Sequence, residues 1–317
     1  MKKSLVLLIT ILAIFIAGMF WWQNGNLPVN KESQEQKTFV IAQGDNVRAI
    51  AYNLKTNGLI RDPIVFFLIT KQSGLDKKIQ AGSFRLSPSM TAAKIAESLT
   101  HGTLDIWVTI PEGFRATQIA EVLKENMPGY EDSWISELEK NEGYLFPDTY
   151  LFPKDANAAN IVSIMMSTFE NRYSSIITTK SNLSKEEIVI LASLIEREAK
   201  HQEDRAIVSS VIHNRLGIGM KLDIDATIQY AKGKIDGKWW RPINTSDYSL
   251  SSSYNTYRIN GLPPAPISNP GLASLKAAVN PANTDYFYYI TDKSGTNRYA
   301  KTLEEQEANI EKYGLSD

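Results

Sequence analysis

Two glutamates late in the chain, Glu196 and Glu198, are the side chains of this sequence best suited to acid–base chemistry. At the i, i+3, i+4 and i+7 spacing of one helix face, Glu198 follows three apolar residues: Leu191, Leu194 and Ile195. A carboxylate at the end of an apolar stripe is partly desolvated, which raises its pKa toward that of a general acid. Glu196 lies about 200° around the same helix and faces another environment.

The alternative for Glu198 is an ordinary solvated helix residue, because Arg197 and Lys200 flank it and charged side chains are mostly exposed. For one such glutamate in isolation, that alternative is the more common one. The stretches that follow the helix favour a site, since they are rich in side chains that suit a polar substrate.

Three stretches beyond the helix are rich in Tyr, Asn, Asp, Thr and Pro and are predicted to be loops: 220–230, 253–257 and 261–271. This composition suits carbohydrate, because aromatic rings stack on sugar faces while amides and carboxylates bond sugar hydroxyls. Asn255, between the candidate sugar contacts Tyr254 and Tyr257, is the candidate for holding an acetamido group. Further candidate contacts to hydroxyls are Asp225, Thr227 and Gln229. For each of these residues, the open alternative is a structural role in a turn or in the core.

Composition and spacing argue against several other kinds of chemistry. The chain has no Cys, which excludes disulfides, thiolate nucleophiles and Cys-type zinc sites. Asp223 and Asp225 alternate without further acids or His at ligand spacing, which is a weak metal signal. The three histidines are scattered, and the formal net charge of -1 gives no reason to expect nucleic acid. We predict no cofactor and no metal.

The N-terminus carries an uncharged apolar run, residues 4–22, long enough to cross a membrane as a helix. Lys2 and Lys3 precede it, which predicts a cytoplasmic N-terminus, and Trp21 and Trp22 fit the aromatic belt at the outer interface. A cleaved signal peptide is the alternative, but bulky residues fill the region of the cleavage site. The sequence therefore predicts a single-pass protein of the plasma (inner) membrane whose remaining residues are extracytoplasmic.

The order of predicted elements indicates an α+β protein with one transmembrane helix, a small subdomain and a larger domain that carries Glu198 on a helix. Strand, turn and helix recur three times between residues 40 and 120, at an irregular spacing that excludes a solenoid. The predicted divisions are a cytoplasmic stub, the transmembrane helix, a linker, the small subdomain, a connecting α+β region and the domain with Glu198: 1–3, 4–22, 23–37, 38–104, 105–180 and 181–317.

The small subdomain has its own resemblance. Residues 39–51, Phe-Val-Ile-Ala-Gln-Gly-Asp-Asn-Val-Arg-Ala-Ile-Ala, look like the opening of a LysM repeat, a small glycan-binding βααβ module. The match covers one strand and one helix. A structural spacer is the alternative to a sugar binder.

Separated motifs extend the resemblance to the whole chain. Five of them follow one another in register: Leu-Ala-Ser-Leu-Ile-Glu-Arg-Glu-Ala (191–199), Val-Ile-His-Asn-Arg-Leu (211–216), Met-Lys-Leu-Asp-Ile-Asp-Ala-Thr (220–227), Tyr-Asn-Thr-Tyr (254–257) and Gly-Leu-Pro-Pro (261–264). Ile-Pro-Glu-Gly (110–113) and Glu-Gly-Tyr-Leu-Phe-Pro-Asp-Thr-Tyr (142–150) belong to the same pattern. Together with the apolar run and the LysM-like unit, they resemble the endolytic murein transglycosylases of the YceG/MltG family.

The resemblance implies a lyase that cuts the β-1,4 bond between N-acetylmuramic acid (MurNAc) and N-acetylglucosamine (GlcNAc) inside peptidoglycan strands, leaving a 1,6-anhydro ring. The family's essential glutamate closes the Glu-x-Glu motif, which corresponds to Glu198 here, with Glu196 as the second choice. One glutamate can serve as acid and then as base. The implied partners are glycan strands and the lipid bilayer through residues 4–22, with peptidoglycan synthases as further candidates.

Two other classes of function remain open from the sequence. One is a non-catalytic tether that holds peptidoglycan through the LysM-like unit, and the other is a scaffold for wall synthases. The tether predicts glycan binding that survives loss of Glu198 and produces no new strand ends.

Overall fold

The structure, a computed structural model, describes three stretches of the chain: 2–101, 104–176 and 183–313. Within them the fold is a mixed α+β one, which confirms the predicted class. The chain divides into two compact units, unit 1 with Met1–Val108 and Tyr150–Asp155, and unit 2 with Thr109–Thr149 and Ala156–Asp317. The predicted division between residues 180 and 181 lies outside the described residues, and the other predicted boundaries stay predictions.

Unit 1 combines one long helix with three short helices, one strand pair, and a second strand pair except for its end residues Thr109 and Thr149. The helices are α1 (Lys2–Asn26), α2 (Val47–Thr56), α3 (Pro63–Gln72) and α4 (Ala92–Ser98). The strands are β1 (Lys37–Ile41), β2 (Gly82–Leu86), β3 (Asp105–Thr109) and β4 (Thr149–Pro153). β1 pairs antiparallel with β2, with Phe39 opposite Phe84, and β3 pairs with β4.

The short helices of unit 1 begin at side-chain caps that the sequence supplies. Asn46, Asp62 and Thr91 each accept a hydrogen bond from a backbone N–H in the first turn of the helix that follows. Their apolar faces meet in one core, which includes the fully buried Leu54 and Phe66. This core lies against the β1–β2 pair, because alternate strand residues point into it.

The apolar N-terminal run is helical as predicted, but α1 continues past Trp22 to Asn26. The extra turn is stabilised by contacts with the rest of unit 1. Arg61 donates from Nη1 to the Asn24 side-chain oxygen at 2.9 Å. The backbone N–H of Ala93 donates to the Asn26 side chain, also at 2.9 Å. The residues predicted as the start of a linker therefore form the docked end of the helix.

Unit 2 holds the remaining helices and one antiparallel strand pair, β5 with β6. Its first helices are α5 (Ala116–Asn126), α6 (Trp134–Glu139), α7 (Ala158–Ser174) and α8 (Lys185–Glu198). Those that follow are α9 (Arg205–Gly217), α10 (Asp225–Lys232), α11 (Leu272–Val279) and α12 (Leu303–Lys312). The strands are β5 (Tyr288–Thr291) and β6 (Asn297–Ala300).

α8 is the central helix of unit 2. Ser184 caps it by accepting from the backbone N–H of Glu187, whose side chain bonds back to the Ser184 N–H. Every residue from 188 to 195 is buried, and α8 packs against α9, α10 and α11. α8 is therefore a core helix, and Glu198 lies at its C-terminal end.

α10 corrects the sequence interpretation, which treated residues 220–230 as a loop. The polar composition concealed a short helix whose inner face is Ala226, Thr227 and Ile228, all buried. Asp225 lies in the first turn of α10, where the helix dipole stabilises a negative charge. The consequence is that several predicted sugar-binding side chains lie on a helix near the end of α8.

Candidate active site

Glu198, a half-buried residue, is the last residue of α8, and two other elements of unit 2 hold its carboxyl group. The Tyr289 hydroxyl on β5 donates to Glu198 Oε2 at 2.8 Å. The backbone N–H of Ala226, at the start of α10, also donates to this carboxyl group. Burial raises the pKa of Glu198 and outweighs the two hydrogen bonds that lower it, so this carboxyl group keeps its proton to higher pH than an exposed glutamate does.

A second carboxyl group lies close to Glu198. Asp225 is the first residue of α10, and its negative charge also raises the pKa of Glu198. Asp225 Oδ1 accepts a hydrogen bond from the Tyr257 hydroxyl at 2.6 Å. Burial, and then this bond to Asp225, raises the pKa of Tyr257, so its hydroxyl stays protonated and keeps donating. The site therefore holds a carboxyl group that favours its acid form beside a carboxylate oriented by a tyrosine.

Glu196 occupies a different environment from Glu198. Its Oε1 accepts from Arg205 Nη2 at 3.1 Å, and its Oε2 accepts from the backbone N–H of Gly271 at 3.0 Å. Only 6% of the Glu196 side chain is exposed. Arg205 also lies 3.7 Å from Glu112. Because both carboxylate oxygens are occupied, Glu196 fastens α8 to the start of α9 and of α11.

Arg197, between the two glutamates, joins a cluster of guanidinium groups and aromatic rings. Its guanidinium lies 3.9 Å from the ring centroid of Trp240. Arg115 lies 5.7 Å from the same ring and 4.0 Å from the ring of Tyr230. Trp240 has a positive φ of 57°, and its Nε1 donates to the Gln118 side chain at 2.9 Å. A bulky residue stays in that backbone conformation only when its contacts impose it, so the cluster fixes Trp240 beside Arg197.

The fully buried Asn269 connects its own loop to two other segments of unit 2. Its Oδ1 accepts from the backbone N–H groups of Gly143 and Leu145, at 2.8 and 3.0 Å. Its Nδ2 donates to the backbone carbonyl of Phe114 and to Glu142 Oε1, both at 2.9 Å. Burial raises the pKa of Glu142 to about 7 despite the hydrogen bonds that it accepts. Asn269 therefore cross-links three segments of unit 2, and its side chain exposes no surface to a ligand.

Two of the predicted sugar-binding residues are instead fully buried, Asn255 and Thr227. Asn255 donates from Nδ2 to the backbone carbonyls of Tyr248 and Leu250, at 3.1 and 2.8 Å. Thr227 donates its hydroxyl hydrogen to the carbonyl of Ile224 at 2.7 Å. Neither side chain has accessible surface in this conformation, and the predicted acetamido contact of Asn255 stays a prediction. Both residues hold the loop and helix beside the site.

The other predicted contacts keep solvent access. Asp225 is exposed, while Gln229, Tyr254 and Tyr257 are half-buried. The Tyr254 ring lies 4.8 Å from that of Tyr230, which connects it to the aromatic cluster. These residues can meet a ligand from α10 and the following loop.

Asp223 and Asp225, the two aspartates considered as metal ligands, contact different partners. Asp223 lies 3.7 Å from the guanidinium of Arg215, while Asp225 bonds Tyr257. Across residues 2–101, 104–176 and 183–313, no three His, Asp or Glu side chains are grouped to hold an ion.

Several residues of the site were not among the sequence candidates: Tyr289, Arg115, Trp240, Glu142 and Asn269. Tyr289 is 91 residues from Glu198, so no local spacing connects them. A usable signal did exist, because tyrosines crowd the short strand at 286–290 and two tryptophans stand together at 239–240. Buried aromatic hydroxyl and indole groups need partners, which points to polar contacts in such places.

The fold and this site define a class: a mixed α+β protein whose half-buried glutamate ends a core helix beside a tyrosine and a second carboxyl group. A family model described as YceG-like family matches residues 39–312. The chain belongs to that family.

Relatives and a solved structure agree with this assignment. An endolytic murein transglycosylase of Bacillus subtilis is 33% identical, over 95% of this chain and 91% of that protein. One of Streptococcus pneumoniae is 26% identical over 98% of this chain, which spans 65% of that protein's length. The crystal structure of a YceG-like protein from Listeria monocytogenes superposes with a TM-score of 0.57 at 29% identity, covering 87% of this chain and 100% of that one.

Proposed function

We propose that this protein is a membrane-anchored endolytic transglycosylase of peptidoglycan in which Glu198 is the catalytic acid. The observation that carries the proposal is the carboxyl group of Glu198, which is held by Tyr289 and Ala226 and has a raised pKa. Membership of the YceG-like family and relatives named endolytic murein transglycosylase support the reaction class. The enzyme would be a lyase acting between MurNAc and GlcNAc inside a strand.

One glutamate can perform both proton transfers of this reaction. Neutral Glu198 donates its proton to the glycosidic oxygen of the leaving GlcNAc as the bond to C1 of MurNAc breaks. The acetamido group of the same MurNAc stabilises the positive charge at C1. The Glu198 carboxylate then takes the proton from the C6 hydroxyl, whose oxygen bonds to C1. The acid is regenerated, and no water is consumed.

Tyr289 gives Glu198 support in both protonation states. Burial, followed by the charge of Glu198, raises the pKa of Tyr289 well above its ordinary value, so the hydroxyl remains a donor. Its hydrogen bond stabilises the carboxylate that forms after proton donation, because a bond to a charged acceptor is the stronger kind. We assign Tyr289 as the residue that positions Glu198.

Asp225 supports a second candidate function, that of a hydrolase. Its charge acts on Glu198, and ordinary glycosidases use two carboxyl groups, one as acid and one as base or nucleophile. In that case water would attack C1 and the products would have reducing ends. The two reactions therefore differ in the chemistry of the new strand end.

The anchor and the small unit complete the proposal. α1 contains a span, Leu7–Asn26, that is long and apolar enough to cross a membrane, and Lys2 and Lys3 favour a cytoplasmic N-terminus. The site would then act on the outer side of the inner membrane, with peptidoglycan synthases as candidate neighbours. β1, α2, α3 and β2 follow in βααβ order, which supports a LysM-like unit that binds glycan or spaces the site.

The test is mass spectrometry of peptidoglycan digested by the full chain in detergent. We expect internal fragments of several disaccharides that end in 1,6-anhydroMurNAc. Fragments with reducing ends would support the hydrolase and contradict the transglycosylase. Glycan binding without any new strand ends would support the non-catalytic tether.

A further inference from the structure

α3 has an apolar outer surface that the described residues of its own chain leave uncovered. A groove of about 460 Å³ runs along it, lined by Tyr52 and Phe67 among others. Ile64 and Leu68, one helical turn apart on the rim, are 60% and 39% exposed. We call this surface, formed by Tyr52, Ile64, Phe67 and Leu68, the α3 face.

The sequence of α3 explains why it has apolar residues on two sides. Pro-Ile-Val-Phe-Phe-Leu-Ile-Thr, at 63–70, is apolar nearly all round the helix. Val65, Phe66 and Ile69 point into the core of unit 1. A helix of this kind is normally buried on every side, so its outer face is expected to have a partner of its own.

The α3 face is attached directly to the end of the proposed membrane anchor. Trp21 Nε1, in the last turns of α1, donates to Asp62 Oδ2 at 3.0 Å. The other oxygen of Asp62 caps α3 by accepting from the backbone N–H groups of Ile64 and Val65. Gly25 packs so closely on α3 that a β-carbon there would lie 2.5 Å from a methyl carbon of Val65. The first turn of α3 is therefore fixed at the level of Trp21.

The length of α1 sets that level relative to a bilayer. The predicted membrane-crossing run, residues 4–22, rises about 28 Å along α1 at 1.5 Å per residue, close to the hydrocarbon thickness of about 30 Å. If this part of α1 crosses the hydrocarbon, Trp21 lies at the interface and α3 begins there. Ile64 is then at the depth of the lipid headgroups and the upper acyl chains.

The charges around the α3 face suit a lipid surface. The Arg48 guanidinium lies 5.2 Å from the Phe67 ring centroid, and the Lys71 ammonium lies 6.0 Å from the same ring. Lys71 is also paired with Asp76, whereas the described residues place no acidic group in a salt bridge with Arg48. An apolar strip edged by cations complements acyl chains below anionic phosphate groups.

We propose that the α3 face inserts into the outer leaflet and forms a second membrane contact beside α1, with lipid acyl chains and phosphate headgroups as its partner. The inference rests on the proposed anchoring by α1. The contact would hold unit 1 at the bilayer surface instead of letting it swing on a flexible tether.

The absence of Cys from the chain permits a direct test. Single variants Ile64→Cys and Leu68→Cys carry an environment-sensitive fluorophore in the full chain, reconstituted in vesicles of phosphatidylcholine and phosphatidylglycerol. Val40→Cys is the matched control, since Val40 is 47% exposed on β1 of the same unit. Ile14→Cys, in α1, reports insertion of the anchor. Quenching is measured with lipids spin-labelled near the headgroup for residues 40, 64 and 68, and with lipids spin-labelled deep in the acyl chain for residue 14.

We expect labels at 64 and 68 to emit at shorter wavelength and to be quenched several-fold more strongly than the label at 40. Water-like emission and weak quenching at 64 and 68, with Ile14→Cys inside the bilayer, would overturn the inference while leaving the anchor intact. Shorter-wavelength emission without lipid quenching, dependent on the protein-to-lipid ratio, would mean that a second copy covers the face and would also overturn it. An unquenched Ile14→Cys would contradict the anchor and this inference with it.

Discussion

At the scale of single residues, two glutamates of one short motif acquire different roles from their surroundings. Both oxygens of Glu196 are occupied by Arg205 and the backbone of Gly271. Glu198, at the end of α8, has only neutral donors on its carboxyl group and a raised pKa. A group that must donate a proton near neutral pH needs the second environment, which supports Glu198 as the acid.

Replacing Tyr289 with Phe should change both the rate and its pH dependence. The Tyr289 hydroxyl lowers the pKa of Glu198, so its removal should raise that pKa further. Because Glu198 acts in its protonated form, activity is lost as pH rises through this pKa, and the basic limb should move to higher pH. The lost bond to the carboxylate should lower kcat roughly 10- to 100-fold. The measurement is kcat against pH on purified peptidoglycan.

Tyr286→Phe is the control for this variant, because Tyr286 lies just before β5 and its ring stacks on Tyr299 at 5.5 Å. It should leave the pH profile in place. A Tyr289→Phe enzyme with the wild-type profile would show that the hydroxyl does not act on Glu198.

Glu142 should make the stability of the protein depend on pH. Its pKa in the folded state is about 7, above the ordinary 4.5, so the unfolded chain releases this proton first. The contribution to stability therefore falls as pH rises from 4.5 to about 7 and is constant above. Glu142→Gln removes this titration. Between pH 4.5 and about 7, the free energy of unfolding of the variant should therefore fall by about 3 kcal/mol less than that of the wild type. Urea unfolding at several pH values would measure this, and equal slopes for both proteins would contradict it.

At the scale of elements, the sequence predicted local structure well where caps and periodicity agree. α7 begins directly after the capping Asn157, and α11 begins directly after Gly271. α10 was missed, because in a helix of eight residues the polar composition outweighs a short apolar face. Helical period indicated Glu198 as an acid candidate, because that argument needs only residues on one helix, and the family resemblance then favoured the same residue.

The hydrogen-bond partners of Glu198 could not be predicted from the sequence, for a physical reason. Hydrogen bonds such as those of Tyr289 to Glu198 and of Asn269 to Gly143 join residues 91 and 126 positions apart. Chain spacing carries no information about such contacts, since packing of whole elements brings them together. The same packing buried Asn255, whose polar neighbours had suggested a surface role.

Asn269→Ala should be among the most damaging single changes in unit 2. The substitution leaves the N–H groups of Gly143 and Leu145 without their acceptor in a buried place. We expect a loss of about 3 kcal/mol in the free energy of unfolding, measured by urea titration. Asn280→Ala, an exposed site on the end of α11, should change it by about 0.5 kcal/mol or less. Similar small losses for both variants would contradict the assigned role of Asn269.

At the scale of the whole molecule, the proposed membrane anchor and the proposed glycan-cleaving site would together confine the enzyme to the membrane surface. Newly made strands emerge there, so cutting them internally would limit their length. Cells that carry Glu198→Gln in place of the natural residue should have longer strands, measured by chromatographic separation of strands freed from their peptides. An unchanged length distribution would contradict this role.

The most direct test of the account compares Glu198→Gln with Glu196→Gln in the full chain, by mass spectrometry of peptidoglycan digests. Each change keeps the size of the side chain and removes its carboxyl group. We predict that Glu198→Gln lowers the yield of anhydro-ended fragments by roughly 100-fold or more, as loss of a general acid does. Glu196→Gln should retain the reaction and lose thermal stability, because its pair with Arg205 is weakened. An active Glu198→Gln beside an inactive Glu196→Gln would show that the catalytic acid is the other glutamate.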